Sequence, residues 1–306
     1  MSLNIYEHAQ GHRHDSTMIQ NLYTSANGVE VDILRLDTID SLAPGNKWFK
    51  LVPNLVAAQH ANATRLISFG GAYSNHLHAL AALGHVKGFE TIGCVRADRG
   101  DPLTPTLLDA KSWGMTLHYL SRSDYRRRNE REFITEILAQ YPNSYLIPEG
   151  GANKIGAGGC GKIVDLIPNR GSDYTALVLA CGTGTTLAGI ASMIADGVRV
   201  IGVPVLKAEK FMARDISAML AVLGADRDNW QLDHRFHGGA YACLPQAVLE
   251  HMQTFECYHG ILLDPVYTAK ASYAVQSMVD NQEFPAGSRI LLVHTGGLQG
   301  RRGFNL

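Results

Sequence analysis

The stretch ALVLACGTGTTLAG, residues 176–189, changes its period midway, and that change decides the fold class. Ala176 to Ala180 is an unbroken aliphatic run, the pattern of a strand covered on both faces. The chain then passes through Gly182, Thr183 and Gly184, and from Thr185 onward its apolar residues fall at helical spacing. Strand, glycine loop and helix in this order form an α/β unit whose helix start offers backbone N–H groups and a positive dipole end to an anion. The hydroxyls of Thr183, Thr185 and Thr186 add donors. A GxxxxGK[ST] nucleotide loop would need a lysine here, and a GxGxxG dinucleotide loop would need glycine where Leu187 stands. Three threonines without a lysine suit a phosphate monoester that is held permanently. A tight turn with threonine caps is the plainer alternative.

The same pattern recurs outward from this unit. Arg65 to Phe69, Ser144 to Ile147 and Arg289 to Val293 are short aliphatic runs that lead into Gly70-Gly71, Gly150-Gly151 and Gly296-Gly297, so the 31 glycines are clustered rather than scattered. Helices are predicted at Asn75 to His85, Thr104 to Trp113, Asp124 to Gln140 and Thr185 to Ile194 from apolar residues three and four apart. The alternation makes the class α/β, with ligands expected at the carboxyl ends of the strands. Two pieces are expected: a smaller α/β domain over 51–155 and a larger one formed by 1–50 and 156–306.

Composition narrows the function. The chain has 306 residues, and its 27 Lys+Arg against 28 Asp+Glu leave a net charge of -1, which gives no broad field to attract nucleic acid. No apolar run reaches the roughly 18 residues that span a bilayer, and the N-terminus is polar where a signal peptide would be greasy, so a cytoplasmic protein is expected. Cys94, Cys160, Cys181, Cys243 and Cys257 are odd in number and never at CxxC spacing, which predicts reduced thiols. His76 and His78, two apart on a predicted helix, point to different faces, and no metal site is expected. Arg126, Arg127, Arg128 and Arg131 alternate with Glu130 and Glu132, as on a solvated helix face.

The remaining motifs carry a resemblance. GNKWFKL (45–51), GGAYSNH (70–76), EGGAN (149–153), the threonine loop, DPVYT (264–268) and HTGG (294–297) occur in the order found in the D-cysteine desulfhydrase and 1-aminocyclopropane-1-carboxylate (ACC) deaminase family. That family is of the tryptophan synthase β type of pyridoxal phosphate (PLP) enzymes. The resemblance implies two open twisted, mostly parallel sheets flanked by helices, PLP as cofactor, a small amino-acid substrate and a homodimer. Lys47 matches the Schiff-base lysine; an amine can form a reversible imine with the cofactor aldehyde and then act as base at Cα. Lys50, the rival, is expected to be a surface helix residue in a structural position. Asn75 matches the contact to the cofactor's phenolic oxygen and borders the substrate as well, and Ser74 matches the hydroxyl that binds the substrate carboxylate and serves catalysis as a proton relay. The phosphate falls to Gly182, Thr183, Gly184, Thr185 and Thr186. His76, Tyr241, Tyr267 and Thr268 complete the substrate side, with Tyr267 also catalytic, and Thr295 the cofactor side.

Thr268 and Thr295 bear on the choice of reaction. By resemblance, the deaminases have glutamate and leucine at these two places, and the desulfhydrases small hydroxyl residues. A hydroxyl at the pyridine nitrogen leaves it largely unprotonated, a weaker electron sink that suffices for loss of an acidic α-proton and a good sulfur leaving group. The expected reaction is therefore α,β-elimination, with ACC deamination as the alternative. Tyr73 and His78 depart from the glutamine and arginine common in the family, which leaves the particular amino acid open.

Overall fold

A computed structural model describes residues 18–98, 100–207, 211–239, 242–304 and 306. The chain starts with an antiparallel pair, β1 (Ile19–Thr24) and β2 (Glu30–Arg35), and runs on into helix α1 (Asn46–His60). A βα series follows: β3 (Arg65–Gly71), α2 (Asn75–Lys87), β4 (Glu90–Arg96), α3 (Pro105–Ser112), β5 (Thr116–Leu120), α4 (Arg122–Arg126), α5 (Arg131–Gln140) and β6 (Ser144–Leu146). These strands form a parallel sheet of four in the order β5-β4-β3-β6. Next come α6 (Lys154–Gly161), β7 (Ala176–Cys181), α7 (Thr185–Met193), β8 (Arg199–Pro204), α8 (Met212–Leu223), β9 (Trp230–Leu232), α9 (Gln246–His259), α10 (Thr268–Asp280) and β10 (Arg289–His294). They complete a six-stranded sheet, β1-β2-β10-β7-β8-β9, parallel except at β1. Two mostly parallel sheets flanked by helices are thus present, as the motifs imply. Helices α1 and α6 each cross a bound of the two pieces expected from sequence, at residue 50 and at 155.

The period of two explains why β7 is buried throughout. Ala176, Val178 and Ala180 face the layer made by α9 and α10, while Leu177, Leu179 and Cys181 face α6, α7 and α8. The smaller sheet is covered in the same way, by α1, α2 and α3 on one face and by Tyr125, Phe133 and Ile137 of α4 and α5 on the other.

The helix expected over Asp124 to Gln140 is two helices. Ser121 caps α4, accepting the Asp124 N–H at 3.1 Å, and the chain breaks at residues 127–130 before α5 begins. The arginine run spans this break and is only partly a solvated face. Arg128 turns inward to Glu149, 2.5 Å away, whose other oxygen accepts the Tyr125 hydroxyl at 2.6 Å.

Backbone geometry aims α1. Gly45 caps it at φ 77°, and the Asn46 N–H donates to the Thr295 carbonyl just past β10 at 2.9 Å. A Cβ at 45 would collide with that carbonyl and approach Gly296 Cα to 2.5 Å. Gly197 also has positive φ, 84°, but nothing lies within 4 Å of where its Cβ would be. Gly45→Ala should therefore cost about 2–4 kcal/mol, strain plus overpacking, and Gly197→Ala about 1 kcal/mol. Urea unfolding measures both, and equal losses would contradict the close approach.

Candidate active site

The residues just past β7 and β10 meet the start of α1, where Lys47 lies in the first helical turn. Its Nζ donates to Asn46 Oδ1 at 2.7 Å, and Asn46 Nδ2 donates to Thr186 Oγ1 at 2.9 Å. The amine is thereby tied to the threonine loop 139 residues further along the chain (186 − 47). Burial above all, then the cationic Lys50, pushes the Lys47 ammonium down to about 7.

Lys50 corrects the sequence expectation. It is 4% exposed rather than on the surface. Gly151, at φ 71°, passes its stem, and a Cβ there would sit 3.0 Å from Lys50 Cβ. Burial lowers its ammonium as well.

The threonine loop runs from β7 into α7. Gly184 caps α7 at φ 75°, and no side chain caps the helix. Its first N–H groups are thus aimed at the loop without a protein side-chain acceptor, which fits an anion. Thr183 and Thr185 share a hydroxyl hydrogen bond of 2.9 Å, and Gly150 lets the EGGAN segment close on Thr183, where a Cβ would come within 3.1 Å of Cγ2. Gly182 lies under Tyr267, whose Cε1 is 3.3 Å from where a glycine Cβ would be.

Ser74 caps α2 by accepting the Leu77 N–H at 3.2 Å. Asn75 Oδ1 accepts the Gln299 N–H at 3.1 Å, so the other end of its amide carries the donors. His76 is buried; its Nε2 meets Ser68 Oγ at 2.8 Å, and its buried Nδ1 has no hydrogen-bond partner among the described residues. Burial, then Lys47 and Lys50, keeps His76 neutral by lowering its pKa well below the usual histidine range. His78 lies on another face against Asp109, at 3.2 Å.

DPVYT is organised by Asp264, which sequence reasoning quoted without assigning it a role. Its Oδ1 accepts the N–H groups of Val266 and Tyr267, both at 2.9 Å, and its Oδ2 that of Gly300 at 3.1 Å. Burial outweighs these bonds and raises the carboxyl to about 6. Thr268 is buried, with Oγ1 accepting the Asp264 N–H at 2.6 Å. Thr295, also buried, sits beside the start of α1 through its carbonyl. Lys270 Nζ donates to the Val205 and His237 carbonyls at 3.1 and 2.9 Å, pinning the exit of β8 to α10. Tyr241 lies outside the described residues.

A buried amine with a lowered pKa and a hydroxyl-rich loop at an uncapped helix start together fit a group with an aldehyde and a phosphate. Comparison with known proteins identifies the class. Residues 44–296 match the family described as pyridoxal-phosphate dependent enzyme, and the chain belongs to that family. Its cofactor is pyridoxal phosphate.

Particular relatives are more distant. The chain is 29% identical over 303 residues to the mitochondrial bifunctional D-cysteine desulfhydrase/1-aminocyclopropane-1-carboxylate deaminase of Arabidopsis thaliana, covering 92% of this chain and 75% of that protein. It is 30% identical to a putative 1-aminocyclopropane-1-carboxylate deaminase of Thermotoga maritima, covering 89% and 90%. With the D-cysteine desulfhydrase of Salmonella choleraesuis the identity is 28%, covering 88% and 87%. A crystal structure of an ACC deaminase homologue superposes with a TM-score of 0.82 at 25% identity, covering 100% of this chain and 98% of that one.

The buried amine generates a pH prediction. Because its pKa is lowered, Lys47 is neutral above about 7 and protonated below it. In the apoprotein its acylation by acetic anhydride, read by peptide mass spectrometry, should rise with pH through a midpoint near 7, and Lys50→Met should move that midpoint upward by removing a neighbouring cation. A midpoint at the ordinary lysine value of about 10 would contradict the burial argument.

Proposed function

We propose that this protein catalyses α,β-elimination on a small amino acid in the manner of a D-cysteine desulfhydrase. With D-cysteine and water the products are pyruvate, ammonia and hydrogen sulfide. The observation that carries the reading is the buried amine of Lys47, tied through Asn46 to Thr186 of the loop at an uncapped helix start.

When bound, pyridoxal phosphate supplies an electron sink for the charge left at the substrate Cα. The rest falls to the chain. Lys47, whose lowered pKa of about 7 leaves a substantial neutral fraction at neutral pH, is the amine that would hold the cofactor's aldehyde carbon and receive the α-proton on Nζ. Gly182, Thr183, Gly184, Thr185 and Thr186 hold the phosphate, the Asn75 amide the phenolic oxygen, and Thr295 the cofactor ring. Ser74 and the N–H groups at the start of α2 take the substrate carboxylate, against the helix dipole. His76, Tyr267 and Thr268 would enclose the substrate. The relatives named as desulfhydrases and as deaminases support both reactions. Thr268 and Thr295, hydroxyls in place of glutamate and leucine, favour elimination over opening of the ACC ring. A cytoplasmic homodimer is part of the proposal, resting on the free cysteines and on the family resemblance. Among the described residues no helix is long and apolar enough to cross a membrane.

The test is a panel of D- and L-amino acids with ACC, assayed for keto acid and ammonia. D-cysteine or β-chloro-D-alanine should be processed faster than ACC, and ACC turnover above that of every D-amino acid would overturn the preference. Ser74→Ala should lower turnover about ten- to a hundredfold while bound cofactor and its absorbance stay near normal. Release of cofactor with unchanged turnover per bound PLP would move Ser74 to the cofactor site.

A further inference from the structure

The short 3-10 turn Gln299–Gly303 near the C-terminus reaches both sides of the site. Its Gln299 N–H donates to Asn75 Oδ1, and its Gly300 N–H to Asp264 Oδ2, each at 3.1 Å. Arg301 turns toward the six-stranded sheet's side, pairing with Glu256 of α9 and donating to the Leu263 carbonyl at 2.9 Å. Arg302 turns the opposite way. It pairs with Asp109 of α3 and donates to Gln299 Oε1 at 2.9 Å. Asp109 also holds His78 Nε2 at 3.2 Å, three residues after Asn75 on α2, and the His78 ring packs edge-on against Trp113, their centroids 4.8 Å apart. At the end of the turn Gly303 meets Tyr73, whose ring would lie 3.3 Å from a Cβ there.

The two arginines differ in setting. Arg301 and Glu256 are 15% and 16% exposed, so their pair is part of the packed structure. Arg302 and Asp109 are 36% and 35% exposed, where solvent screens the attraction and little global stability is at stake. What the outer pair fixes is position. Arg302, Asp109 and His78 form a continuous polar chain from the C-terminal turn to the helix that begins with Ser74 and Asn75. The same turn grips Asp264, which in turn holds the Tyr267 backbone.

We propose that Arg302 is a positioning residue: through Asp109 and His78 it holds α2 against the Gln299–Gly303 turn, so that Ser74 and Asn75 stay in register with Asp264 and Tyr267 across the cleft. The proposal rests on the assignment of Ser74 and Asn75 to substrate and cofactor.

The test compares the holoenzyme with Arg302→Leu, Arg302→Lys, Asp109→Asn and the double variant Arg302→Leu/Asp109→Asn. Arg302→Leu should raise KM for the amino acid that the wild type processes by about three- to fivefold, the loss of one partly screened ion pair, while kcat changes less than about twofold and the melting temperature little. Arg302→Lys should recover most of the loss. Asp109→Asn should resemble Arg302→Leu, and the double variant should be no worse than either single one. A melting temperature that falls steeply with KM unchanged, or additive effects in the double variant, would overturn the proposal. Hydrogen exchange of the amides of residues 77–87 is read in parallel, and it should be faster in Arg302→Leu than in the wild type. If the wild type processes no amino acid, the proposed function fails by itself, and this exchange alone decides the positioning role: unchanged protection overturns it.

Discussion

The site depends on one close approach of backbone to backbone, where Gly45 crosses Thr295 and Gly296. The carbonyl of Thr295 accepts the first N–H of α1, and the absence of a side chain at 45 lets the start of α1 pack directly against the residues just past β10. That crossing sends Lys47 inward, level with the loop that leaves β7. Asn46 then bridges the amine to Thr186, and Lys50, one turn along the same helix, is carried into the interior behind it.

Electrostatics follow from that placement. Two amines brought into a dry interior on one helix face cannot both keep their charge, and burial lowers both. The same loss of water raises Asp264 and lowers His76, so a site with four ionisable groups is biased toward neutral forms. Such an interior favours a nucleophilic amine near neutral pH. The negative charge that a phosphate and a substrate carboxylate would bring is met by two helix starts that are built differently. At α7 no side chain takes the N–H groups, whereas at α2 the Ser74 hydroxyl already accepts one of them and leaves fewer for a ligand.

Much of this was legible in the letters because it is local. The switch from period two to period 3.6 across Cys181 marks β7 and α7, and Ser74 marks the start of α2 because a serine there accepts the Leu77 N–H. The edge strand β1 carries no such signal, since half-buried and exposed positions are mixed along it without a clear apolar side. The burial of Lys50 is not legible in GNKWFKL itself, because the backbone that passes its stem is at Gly151, about a hundred residues away. The inward turn of Arg128 is hidden for a similar reason: its partner Glu149 lies beyond the next helix and strand. Asp264 was quoted only as part of a motif, and the QGRRG turn reads as an ordinary polar loop, since nothing local shows that both grip the site from opposite sides.

The central claim is that Lys47, and not its buried neighbour Lys50, is the amine that holds the cofactor. The direct measurement is peptide mass spectrometry of the holoenzyme after borohydride reduction and proteolysis, with fragmentation between residues 47 and 50. A pyridoxyl mass on Lys47, lost in Lys47→Ala and retained in Lys50→Ala, is the predicted result. The same mass on Lys50, persisting in Lys47→Ala, would contradict the account.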